Sequence, residues 1–113
     1  MGLFEKIIIR YKDQRPRPER NFDQFYCTEE TAEKRANLIA NLPEIENKNL
    51  LFLGDDDLTS IAFCLSFKAK KVMVVDIDKR ILNFIKMIAE KETLPIETYE
   101  HDLRNPLPKN EFK

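Results

Sequence analysis

The sequence predicts an α/β fold carried by a parallel sheet, and three observations predict it. Two uninterrupted apolar runs, Leu50 to Leu53 and Val72 to Val75 within Lys71 to Asp76, have the length and side chains of buried parallel strands. Stretches with apolar residues at helical spacing follow each run, at about 59–67 and 78–92. A third short strand pattern, Ile96 to Tyr99, comes directly after Pro95. Strand and helix thus alternate as β-α-β-α-β, and the right-handed crossover rule folds such a chain into a Rossmann-like parallel sheet. The sheet is expected to be partial, stopping after about three strands, because the chain reaches Lys113 before a fourth begins.

Taken in order, Leu3 to Tyr11 is apolar and β-branched enough to predict a short strand, which Arg15-Pro16-Arg17-Pro18 stops. Prolines 16 and 18 fix their own φ and bias the preceding arginines away from helix, so this stretch reads as an extended basic connector. Thr28 then reads as an N-cap, with Glu29 and Glu30 in the first turn, where the helix dipole favours acids. The helix is expected to run to about Asn41, burying Ala32, Ala36, Ile39 and Ala40 along one stripe, and Pro43 ends it. Residues 1–27 therefore form a strand and connector, and 28–113 a partial nucleoside-binding domain. Leu50 to Leu53 is expected to be covered on both faces, and the helix after it carries Ile61, Ala62, Phe63 and Leu65. The helix from Asp78 presents Ile81, Leu82, Ile85, Ile88 and Ala89 on one face, and Asn105-Pro106-Leu107-Pro108 reads as an exposed loop.

With 19 basic and 20 acidic residues among 113, the net charge of -1 provides no global field for non-specific nucleic-acid binding. The longest early apolar stretch, Ile7-Ile8-Ile9, is too short for a membrane span or a signal peptide, so a cytoplasmic protein is expected, with no membrane partner. Cys27 and Cys64 lack a CxxC spacing and read as reduced packing residues, which leaves no indicated metal site. A charged content of 35% with only two glycines leans towards a thermophilic source.

The distinctive stretch is Gly54-Asp55-Asp56-Asp57-Leu58-Thr59-Ser60, directly after the first strand. A nucleotide-binding fold normally has a glycine-rich turn here, suited to a phosphate or carboxylate. Three carboxylates repel anions instead. Two unit charges about 5 Å apart repel by roughly 3 kcal/mol at an effective dielectric near 20, so the cluster calls for a cation. Without flanking His or Cys ligands, a polyamine or a sulfonium fits that demand better than a metal. In open parallel sheets ligands bind beyond the carboxyl ends of the strands, where Gly54, Asp55, Asp56, Asp57, Asp76 and Asp102 all fall. Asp76 closes the second strand 22 residues after Gly54, where an acid accepts the hydroxyls of a ribose. Asp102 is placed to accept an adenine amino group. Blander roles stand beside these: helix caps for Asp76 and for one Asp of the turn, and a turn-forming role for Asp102. His101, the only histidine, has no nucleophile paired with it in the sequence.

The segments Arg15-Pro16-Arg17-Pro18-Glu19-Arg20-Asn21-Phe22-Asp23-Gln24, Cys27-Thr28, Thr31 and Gly54 to Ser60 resemble those of the branched-chain polyamine synthases of thermophilic archaea and bacteria. Those enzymes, N4-bis(aminopropyl)spermidine synthases, have a methyltransferase-like Rossmann domain. They transfer aminopropyl groups from decarboxylated S-adenosylmethionine to the secondary amine of spermidine, releasing methylthioadenosine. The resemblance implies that an Asp of the 55–57 set orients and deprotonates the attacking amine. It further implies that Asp76 holds the ribose and Asp102 the adenine edge, with Gln24, Tyr26 and Thr28 beside the amino-acid end of the co-substrate. Ordinary S-adenosylmethionine brings a carboxylate to the first turn, which three Asp residues reject.

Against that family, an N-terminal winged-helix domain and a fourth strand ending in an Asp-Pro-Pro-Tyr type motif are missing. The chain is therefore expected to be a truncated piece, inactive or weak alone, that needs its remainder or a homodimer partner. Two other readings remain: a fragment of an S-adenosylmethionine-dependent methyltransferase, and a non-catalytic nucleoside- or polyamine-binding module.

Overall fold

The computed structural model describes residues 2–17, 29–42, 49–55, 57–66, 70–102 and 104–106. Helix α1 covers Leu3–Tyr11 and is followed by a 3-10 turn at Lys12–Gln14. Then come helix α2, Glu29–Ala40, strand β1, Asn49–Leu53, and helix α3, Thr59–Ser66. Strand β2, Lys71–Asp76, helix α4, Lys79–Glu92, and strand β3, Ile96–Glu100, complete the order. The three strands are parallel in the order β1-β2-β3, as the alternation predicts.

The first element corrects the sequence reading, because Leu3 to Tyr11 is helix and not strand. Phe4, Ile7, Ile8 and Tyr11 fall at i, i+3, i+4 and i+7, and all four are buried. Three consecutive isoleucines cost at most about 2 kcal/mol in helix propensity. Burying each large apolar side chain is worth roughly 1.5–3 kcal/mol, so the four on this face outweigh that cost. The basic segment behind α1 is extended where described, with Arg15 at φ -68 and ψ 126 ahead of Pro16. The N-cap proposed for Thr28 and the stop at Pro43 lie outside the described residues.

One apolar layer holds the helices to the sheet. Leu50, Phe52, Val72, Val74 and Ile96 share a face, because the register aligns Leu50 with Val72, Phe52 with Val74 and Val72 with Ile96. Against it pack Phe4, Ile7 and Ile8 of α1, Ala32 and Ala36 of α2, Ile61 and Phe63 of α3, and the apolar face of α4. Strand β1 is not covered on both faces, which corrects a second expectation. Leu51 is 40% exposed and Leu53 57%, because the described helices join the core on the opposite face, and β1 is also an edge among the described strands.

The ends of α4 fix its position. Asp78 accepts from the Arg80 amide at 2.9 Å to cap its start, and Thr93 closes it in the left-handed conformation at φ 56. At that closing end, Glu92 accepts from Arg10 at 2.9 Å and from the Tyr11 hydroxyl at 2.7 Å, tying α1 to α4. The Tyr11 hydrogen bond, with Arg10 behind it, holds the Glu92 carboxyl below its usual range.

Candidate functional site

The carboxyl ends of the three strands meet at one rim. Gly54 follows β1 with φ +78, a backbone that L side chains rarely adopt, and its amide donates to the Val75 carbonyl at 2.7 Å. That bond carries the β1–β2 ladder one residue past β1, and Asp55 follows it into the interior. Asp55 is 4% exposed. Its carboxylate accepts from the Ser60 amide, at 3.3 Å for Oδ1 and 3.2 Å for Oδ2, and from the Ser60 hydroxyl. The bland reading of the triple-Asp turn therefore holds for one member, since Asp55 caps the start of α3.

Burial pushes the Asp55 carboxyl up to about 7, against the lowering effect of its bonds from Ser60 and Thr59, and the neighbouring Asp57 charge adds to the rise. An acid whose folded pKa is raised stabilises the fold while protonated. This group's contribution is thus complete below its ordinary 3.8 and is lost as pH rises to about 7. The acids held low, Glu92 and Asp102, act in the opposite sense and only below the usual carboxylate range. Asp55→Asn is uncharged at every pH, so urea unfolding at pH 5 and pH 8 is expected to give a smaller difference than in the parent chain. An equal difference in the two proteins would mean that Asp55 ionises normally.

Leu58 closes the turn at φ 62, a left-handed backbone that costs a non-glycine residue about 1–2 kcal/mol. Its side chain is fully buried, and its amide donates to the Asp55 carbonyl at 3.0 Å. Burying a leucine side chain is worth roughly 1.5–3 kcal/mol, which offsets the strain. Asp57 then faces outward, and its Oδ2 lies 2.7 Å from Nη1 of Arg35 on α2. The cation that the cluster requires is supplied in part by the chain itself.

Asp76 joins the three strand ends. Its Oδ2 accepts from the Asp55 amide at 3.0 Å and its Oδ1 from the Asp78 amide at 3.0 Å, while its carbonyl accepts from the His101 amide at 2.9 Å. The cap of α4 falls to Asp78 itself, so Asp76 supports that cap from behind, and each oxygen of its buried carboxylate retains further acceptor capacity. Asp102, just past β3, accepts from the Arg104 amide at 3.0 Å and from its guanidinium, which hold its carboxyl down to about 2. Its carbonyl also accepts from the Asn105 amide at 2.9 Å, the turn geometry expected of the bland reading. His101 makes a 3.1 Å contact from Nε2 to the Asn105 carbonyl oxygen.

The structure thus brings Gly54, Asp55, Asp57 and Asp76 together, with Asp102 one strand end away. Asp56, Gln24, Tyr26 and Thr28 lie outside the described residues. A cavity of about 380 Å³ opens beside the turn, lined by Arg35, Leu38, Phe52, Asp55, Asp57 and Thr59 among others. Arg35 and Ser60 escaped the sequence reading. Ser60 carried a signal, as a hydroxyl in the first turn of a helix five residues after an acid. Arg35 carried none, because its pairing with Asp57 exists only once α2 packs on α3. Among the described residues no group of three His, Cys, Asp or Glu could hold a metal ion, and no helix is long and apolar enough to cross a membrane.

The family model of the branched-chain polyamine synthase A C-terminal domain matches residues 3–113. The chain belongs to this family. The N4-bis(aminopropyl)spermidine synthase of Thermus thermophilus is 43% identical over 107 residues, 95% of this chain and 31% of that protein. The enzyme of the same name from Methanocaldococcus jannaschii is 44% identical over 109 residues, 93% of this chain and 31% of that protein. The chain thus spans under a third of the length of these curated relatives. A crystal structure of the Thermus thermophilus branched-chain polyamine synthase, in complex with N4-aminopropylspermidine and 5'-methylthioadenosine, superposes with a TM-score of 0.83 at 41% identity, covering 92% of this chain and 30% of that one. A candidate RNA methyltransferase from Pyrococcus horikoshii superposes with a TM-score of 0.67 at 20% identity, over 90% of this chain and 52% of that one, which shows the shared methyltransferase-like fold alone. The resemblance drawn from the Gly-Asp-Asp-Asp turn and the Arg-Pro segment therefore holds.

Proposed function

We propose that this branched-chain polyamine synthase domain contributes the co-substrate face and the acidic rim of an aminopropyltransferase. The reaction is attack by the secondary amine of spermidine on the aminopropyl carbon next to the sulfonium of decarboxylated S-adenosylmethionine. A new C–N bond forms and the C–S bond breaks. The bonding pair stays on sulfur, giving methylthioadenosine, and the proton lost from the amine passes to a carboxylate. The observation that carries this reading is the Asp55 and Asp57 pair at the end of β1, next to an open cavity, with the Asp55 amide bonded to the Asp76 carboxylate. The relative crystallised with N4-aminopropylspermidine and 5'-methylthioadenosine supports it.

In this reading Asp57 meets the ammonium groups from the cavity side. Asp55 holds the turn from beneath, and its carboxyl near 7 suits proton exchange with an amine near neutrality. Asp56 belongs to the same acidic set, Asp76 accepts the ribose hydroxyls and Asp102 the adenine amino group. Gln24, Tyr26 and Thr28 flank the aminopropyl end. The rest of the active site comes from sequence that corresponds to the other two thirds of the relatives. The charge pattern and the unpaired spacing of the cysteines fit a cytoplasmic setting.

Calorimetry tests the reading. Methylthioadenosine or decarboxylated S-adenosylmethionine should bind at least about tenfold more tightly than S-adenosylmethionine, since a carboxylate beside Asp57 is repelled by more than the 1.4 kcal/mol that tenfold represents. Equal or reversed preference would sink the aminopropyl reading and favour a methyl donor. Mass spectrometry for branched products after incubation with spermidine then separates an active enzyme from a binding module.

A further inference from the structure

The guanidinium of Arg35 is the charged group of the rim that the proposed reaction leaves without a role. Helix α2 buries Ala32 and Ala36 against the core, which sets Arg35 on its solvent side above the Gly-Asp-Asp-Asp turn. There its Nη1 lies 2.7 Å from Oδ2 of Asp57, the Arg35 side chain being 53% exposed and that of Asp57 15%. Both residues line the cavity beside Phe52 and Gly54. A side-chain cation of α2 thus sits on the carboxylate that the proposed function gives to the polyamine. Resting on that reading, we propose that Arg35 is an internal competitor of the substrate ammonium, held on Asp57 until a polyamine displaces it, and so a specificity-determining residue of the site.

Three physical points support the assignment. An arginine keeps its charge at every relevant pH, so it competes for Asp57 with the ammonium groups of a substrate across that whole range. An exposed ion pair of this kind is weak, so displacement is cheap. A monoamine replaces one charge with one charge and gains little. A polyamine brings further ammonium groups to the remaining acids of the rim, so it recovers the fixed cost of displacing the guanidinium where a monoamine does not.

The test compares spermidine and methylthioadenosine binding by the 113-residue chain carrying Arg35→Gln, Arg35→Lys, Asp57→Asn or Arg35→Gln with Asp57→Asn, followed by calorimetry and NMR titration. Arg35→Gln is expected to tighten spermidine about two- to fivefold, the size of an exposed ion pair in affinity terms, and to leave methylthioadenosine unchanged. Arg35→Lys should stay near the parent, and the gain should vanish on the Asp57→Asn background. Unchanged or weaker spermidine binding by Arg35→Gln, with Asp57→Asn weaker than the parent, overturns the competitor and keeps the site. Spermidine binding untouched by Asp57→Asn overturns the site reading itself. Absence of spermidine binding in every form overturns both.

Discussion

Asp76→Ala is expected to lower the unfolding free energy by about 3 kcal/mol and to weaken methylthioadenosine binding at least tenfold. The stability loss follows from the hydrogen bonds. The carboxylate accepts the Asp55 and Asp78 amides, both buried, and each donor left without a partner costs about 1–3 kcal/mol. The binding loss follows from the same contacts, because the Gly54 turn and the start of α4 lose their common support together. Asp76→Asn keeps one acceptor oxygen and should show about half the stability loss. Urea unfolding gives the first quantity and calorimetry the second. Parent-like stability for Asp76→Ala would mean that the strand ends are held by the backbone alone.

Asp57→Asn is expected to behave in the opposite way, weakening spermidine binding about tenfold while stability moves by no more than the 0–1 kcal/mol of an exposed ion pair. Asp57 pairs with Arg35, whose side chain is half-exposed. Methylthioadenosine carries no ammonium group and should bind Asp57→Asn as it binds the parent. Equal losses for both ligands would assign the turn to the nucleoside. Together the two variants separate a carboxylate that builds the rim from one that faces the ligand, although both lie in one acidic cluster.

That separation was not legible in the sequence. Gly54 to Asp57 raises the expectation of a cationic ligand, but three identical side chains in a row give no sign of which turns inward. The answer depends on the Gly54 amide bonding to Val75 and on Ser60 receiving Asp55, contacts set by the β1-β2 pairing and by the start of α3. The strands themselves were legible, because the continuous apolar runs Leu50 to Leu53 and Val72 to Val75 alternate with stretches of helical spacing. Helix α1 was not, since Ile7-Ile8-Ile9 presents its β-branched character more loudly than the i, i+3, i+4, i+7 spacing of Phe4, Ile7, Ile8 and Tyr11. Coverage of β1 was also misread, because a continuous apolar run says that both faces tolerate burial and not that neighbours for both are at hand. Arg35 could not be found at all from spacing, its partner being on a different element.

The bare leucines of β1 have a practical meaning for anyone handling the isolated polypeptide. Leu51 and Leu53 stand two residues apart on an edge strand, half-exposed beside a row of backbone groups that no described strand occupies. Such an edge is a template for other chains, and a net charge of -1 gives little colloidal repulsion to oppose it. Solubility is therefore expected to be limited by this one strip of surface, to worsen as salt screens the remaining charge, and to recover when a lysine replaces Leu53.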